Sequence, residues 1–62
     1  MLFRDNGNYF EEDKQYEALL KTSNESVTGH RYFNSDGIFI GLYNRKNGII
    51  WKIRLETLKR VK

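Results

Sequence analysis

The residues best equipped for chemistry in this chain are cations and aromatic rings that alternate late in the sequence. Phe39, Tyr43, Arg45, Lys46, Lys52 and Arg54, followed by Lys59 and Arg60, make up that set. Rings stack on nucleobases of any sequence, and lysine and arginine neutralise phosphate while releasing its counterions, so the combination points to nucleic-acid binding. Half-buried rings also stabilise sheets by pairing across strands with no ligand at all, and that plainer reading stands beside the first. A second candidate set is acidic. Glu12, Asp13 and Glu17 fall where a helix face is expected and could dock on a protein partner.

Catalytic groups are scarce. His30 is the single histidine, the five glycines form neither a phosphate-binding loop nor a dinucleotide fingerprint, and no serine or threonine stands in a nucleophile-elbow context. The chain has no cysteine, which removes thiolate chemistry and cysteine-based zinc sites. Glu11, Glu12 and Asp13 are consecutive acids that diverge at a helix start and already suit its dipole, so no metal site is read from them. The expectation is a protein that is not an enzyme, with no metal and no cofactor.

Charge is distributed unevenly. Residues 1–31 carry six acids against four bases, a net of −2, and residues 32–62 carry seven bases against two acids, a net of +5, together the chain's +3. Such asymmetry is a hint of a half that binds polyanions, although a net charge of a few units also serves solubility alone.

Sixty-two residues, 39% of them apolar, support one small domain over 1–62. A core of that size rarely supplies more than about 3–5 kcal/mol and leaves no room for a deep cavity. The longest apolar run, Ile38 to Tyr43, is far short of the ~18 residues that suggest a membrane span. Charge follows Met1-Leu2-Phe3 at once, so no secretory signal is visible and the expected location is the cytoplasm.

The elements that must position these residues follow from turn chemistry and periodicity. Asp5-Asn6-Gly7-Asn8 reads as a turn, leaving Met1 to Arg4 as a short strand at best. Asn8 as N-cap, with Glu11 three residues on, predicts a helix over about 9–21 whose apolar stripe is Tyr9, Tyr16, Leu19 and Leu20. Polar residues 22–26 end it. Thereafter the β-branched and aromatic content predicts strands at about 27–33, 38–46 and 49–57. The fold class expected is therefore α+β, one N-terminal amphipathic helix packed on a three-stranded antiparallel β-meander.

Asn47-Gly48 is the strongest hairpin signal, since a two-residue type I′ turn needs positive φ at both central positions. Such a turn sets Leu42 opposite Ile53, Ile40 opposite Leu55 and Asn44 opposite Trp51. Ile38, Ile40, Leu42, Trp51, Ile53 and Leu55 then face the helix. The other face carries Phe39, Gly41, Tyr43 and Arg45 against Ile50, Lys52, Arg54 and Glu56, with Gly41 leaving space for a ligand backbone. For Asn34-Ser35-Asp36-Gly37 two readings remain. A type I turn with a left-handed Gly37 pairs Asn34 with Ile38 and turns His30 and Tyr32 inward, whereas a two- or four-residue loop turns Val27, Arg31 and Phe33 inward. Residues 57–62 either prolong the third strand or form a helical turn that places Leu58 and Val61 on one side.

The function expected is a small non-enzymatic nucleic-acid-binding module working through a basic, aromatic sheet face. The alternative is a small protein-interaction regulator or inhibitor of the mobile-element or phage type. A homodimer through the same face is a third arrangement, because so short a chain gains from borrowed core area.

Overall fold

Asn6 and Gly7 both adopt positive φ, 54° and 87°, and this is where the two-residue I′ reversal forms. It joins β1 (Leu2–Asp5) to β2 (Asn8–Glu11), with Asp5 opposite Asn8 and Phe3 opposite Phe10. In the computed structural model, which describes residues 2–61, the chain continues as β3 (Gln15–Leu19), β4 (Ser26–Phe33), β5 (Phe39–Asn44) and β6 (Ile49–Trp51). A 3₁₀ turn (Leu55–Thr57) and β7 (Lys59–Val61) complete it. The sheet is antiparallel and curled into a half-barrel. Among the described residues no helix is long and apolar enough to cross a membrane.

The expected helix over 9–21 is absent, and the fold is nearly all β rather than α+β. Its residues instead supply β2 and β3, which lie end to end along one edge of β4. Phe10 sits opposite Tyr32 and Tyr16 opposite Gly29. The physical reason lies in burial. Phe10 and Ala18 are each only 3% exposed, yet neither belongs to the helical stripe of Tyr9, Tyr16, Leu19 and Leu20. Period-two alternation along two strands buries both, and it also gives β1 a hydrogen-bonded partner that a helix could not provide.

Leu42, fully buried, is the centre of the inner face, where it packs with Ala18 and Ile53. Tyr16, Val27, Phe39, Trp51 and Leu58 surround that cluster. The curl is held at its far side by β3, whose free edge receives two segments. β7 pairs with residues 15–17, while Leu20 bridges to Ile53, flanked by hydrogen bonds from Lys21 N to the Lys52 carbonyl and from Arg54 N to the Leu19 carbonyl. Thr57 ties the 3₁₀ turn to this seam. Its Oγ1 accepts from Leu19 N at 2.9 Å and donates to the Arg54 carbonyl at 2.7 Å.

Two irregularities change the register. Asn47-Gly48 does not make the two-residue reversal. Residues 45–48 form a longer turn in which Gly48 N donates to the Asn44 carbonyl and Asn44 Oδ1 accepts from Lys46 N, so Leu42 faces Trp51, Tyr43 faces Ile50 and Asn44 faces Ile49. The pairing is displaced by two residues, which preserves the face each side chain takes. The third strand accordingly stops at Trp51, and Leu55, expected inside, is 63% exposed.

The second irregularity is a bulge in β5. Phe33 lies opposite Phe39 but Tyr32 lies opposite Gly41, so Ile40 has no partner. Phe39, expected on the outer face, is thereby turned to the inner one, where it packs on the Leu42 cluster, and Ile38 is left 61% exposed. The 34–37 turn takes the first of its two readings: Gly37 has φ 81° and Asn34 N donates to the Ile38 carbonyl. The bulge then places His30 and Tyr32 on the opposite sheet face, where both are buried, with Val27, Arg31 and Phe33 on the Leu42 side. Of residues 57–62, Lys59–Val61 form β7 and Leu58 packs against the core, while Lys62 lies outside the described residues.

Candidate nucleic-acid interface

Five residues, Glu11 to Gln15, sit across from only two, His30 and Arg31, where β2 passes into β3. Both β4 residues turn onto this looped-out segment. On the outer face His30 Nδ1 donates to the carbonyls of Glu11 and Lys14, at 2.8 and 2.7 Å. On the inner face the Arg31 guanidinium forks onto the Glu11 carboxylate, Nε to Oε1 and Nη2 to Oε2. Hydrogen bonding from Arg31 holds the Glu11 carboxyl below its ordinary range against the opposing effect of burial, and the same bond raises Arg31. The loop is thus fixed at both faces, and Gln15 leaves it toward the outer side of β4.

That outer side carries a second cluster, made of rings. Phe10 lies 5.4 Å from Phe3, 4.9 Å from Tyr43 and 5.7 Å from His30, centroid to centroid, and Tyr43 lies 5.1 Å from Tyr32. Arg45 reaches back from the β5–β6 turn over Phe3 and Phe10, at 5.6 and 5.5 Å, and pairs with Glu12 at 3.1 Å. Beside it opens a groove of about 340 Å³, lined by Gln15, Thr28, His30, Tyr43, Arg45 and Lys46.

The structure divides the expected nucleic-acid set. Tyr43, Arg45 and Lys46 converge on the groove. Lys52 and Arg54 flank Ile53, whose side chain enters the core, so they project from the outer side of the seam, with Lys21 across from Lys52. Among the described residues none of Lys21, Lys46, Lys52 and Arg54 forms an ion pair. Lys59 is held by Glu17 at 3.6 Å, and Arg60 is exposed opposite Tyr16. Phe39 is removed to the core. Gly41 leaves space not for a ligand but for the chain itself, since a Cβ there would meet the Trp51 carbonyl oxygen at 2.2 Å.

The acidic set is scattered too, because the helix that was to align it does not exist. Glu12 and Asp13 ride on the looped-out segment, whereas Glu17 is on β3. Gln15, Thr28, His30 and Lys21 are contributions that sequence reasoning missed. No local signal marks the first three as neighbours, while Lys21 carried only its charge. Among the described residues no group of three or more histidine, aspartate or glutamate side chains is placed to hold a metal.

Comparison with models of known protein families, with curated protein sequences and with solved structures finds no match to this chain.

Proposed function

We propose that this chain is a small non-enzymatic nucleic-acid-binding module whose outer sheet face meets the phosphate backbone. The observation that carries the reading is the company kept by the cations. Lys46, lining the Tyr43 groove, and Lys21, Lys52 and Arg54, at the seam, share the outer face, and among the described residues no acid is paired to any of them. Unpaired cations keep their counterions, and binding phosphate releases them. Ile50, opposite Tyr43 and exposed, lies between the two groups along the same strand path.

The test is fluorescence anisotropy with a labelled 12-nucleotide strand across a salt series. With four phosphates neutralised, affinity should fall about 50-fold between 50 and 200 mM salt, and the double substitution K46E/K52E should flatten that slope. Affinity that is independent of salt, or indifferent to the double substitution, would sink the proposal.

A further inference from the structure

We infer that the groove beside Tyr43 is a seat for one unpaired nucleotide, its base against the Tyr43 ring and its phosphate on Lys46. This rests on the nucleic-acid reading above and narrows it to single strands.

The lining is what a base needs and more than a phosphate needs. His30 spends Nδ1–H on two main-chain carbonyls, which leaves Nε2 as an acceptor in the neutral ring. The Asn44 side-chain oxygen is taken by Lys46 N, so its amide NH₂ remains to donate. Among the described residues Gln15 and Thr28 have no side-chain hydrogen bond, and each can both donate and accept. Donors and acceptors therefore line the groove together with Tyr43 and Lys46, and Arg45, paired with Glu12, borders it. A site for an isolated anion would have donors alone.

Shape agrees. Gly29 is at the floor, where a Cβ would come within 2.7 Å of the Tyr43 carbonyl oxygen, so β4 and β5 approach closely beneath the groove. A volume of about 340 Å³ is at the small end for ligand sites, sufficient for one base with its sugar and too small for a base pair within its stack. A paired base reaches such a pocket only after leaving the duplex, which costs unstacking and unpairing. A single strand pays less.

The experiment compares three 12-nucleotide probes of equal length by anisotropy at 50 mM salt: an intact single strand, the same strand with abasic sites throughout, and a duplex. The single strands are used in deoxyribose and ribose forms, and a base-dependent gain in either form supports the seat. The intact strand should bind at least about five-fold more tightly than the abasic one. The double substitution Q15L/T28V, at exposed positions, should cost the intact strand about three- to ten-fold and leave the abasic strand unchanged. Equal binding of intact and abasic strands, or a duplex bound as tightly as the single strand, overturns the seat while the phosphate-binding reading stands. No binding of any probe overturns both.

Discussion

Arg31 grips Glu11 with two nitrogens, Nε on Oε1 and Nη2 on Oε2 at 2.7 Å, and so fastens the looped-out segment between β2 and β3 to the middle of β4. The guanidinium also lies 4.8 Å from the Tyr16 ring centre and 5.7 Å from that of Phe33. One side chain thus links β2, β3 and β4.

Acid should expose this link. The folded-state pKa of Glu11 lies below its ordinary value of 4.5, so the stabilisation is fully present above that value and is lost as pH falls through the folded-state value. Glu11→Gln should cost about 1–2 kcal/mol at pH 7, given that Arg31 is one-third exposed, and should shrink the acid-dependent part of the stability. Urea midpoints for both proteins from pH 7 to pH 2 test this. Curves that run parallel throughout would mean that Glu11 contributes nothing through its charge.

His30 should matter through the hydrogen bonds its Nδ1 donates. Its replacement by phenylalanine leaves the Glu11 and Lys14 carbonyls without their donor and should cost about 1–3 kcal/mol. Asparagine, whose amide nitrogen falls near the place of Nδ1, should recover part of the loss. Thermal unfolding of H30F and H30N ranks the two, and H30F matching the parent would show that the ring only fills space.

Glycines 41 and 7 should respond to alanine for different reasons. At Gly41 the new methyl meets the Trp51 carbonyl at 2.2 Å, and a backbone atom cannot step aside without separating β5 from β6. At Gly7 nothing lies within 4 Å and only the positive φ resists, at about 1–2 kcal/mol. Gly41→Ala should therefore be the more damaging, with faster amide exchange in β6. Equal losses at the two sites would contradict the close approach.

Truncations of aliphatic residues should sort by the register seen in the structure. Leu42→Ala removes the fully buried centre of the core at about 2–5 kcal/mol, comparable to all the stability so small a domain has, and should leave it largely unfolded. Ile38→Ala and Leu55→Ala should each stay within about 0.5 kcal/mol, since both side chains are mostly in water. Large losses at Leu55 would restore the inner-face alignment of a two-residue Asn47-Gly48 reversal, and large losses at Ile38 would argue against the β5 bulge.

The outer face was readable before the fold was. Tyr43 and Ile50 came out on one side and Leu42 and Trp51 on the other even though the 45–48 turn is two residues longer than its Asn-Gly pair suggests, because an even displacement keeps every side chain on its face. Phe39 was misplaced by an odd displacement. One extra residue at Ile40 reverses everything before it, and a bulge is a property of the two strands together, not of the residues that contain it.

By itself the chain's order of residues determined where it could turn, at Asn6-Gly7, Asn34–Gly37 and Asn47-Gly48, and that its cations would gather late in the sequence. Tertiary structure decided what the first twenty residues become. Tyr9, Tyr16, Leu19 and Leu20 satisfy a helical period well enough, and the choice falls to the free edge of β4, which offers backbone partners and burial for Phe10 and Ala18 that no isolated helix has. The groove came with that choice, since Gln15 reaches Thr28 and Tyr43 only because the chain bows out between Glu11 and Gln15 and His30 holds it there.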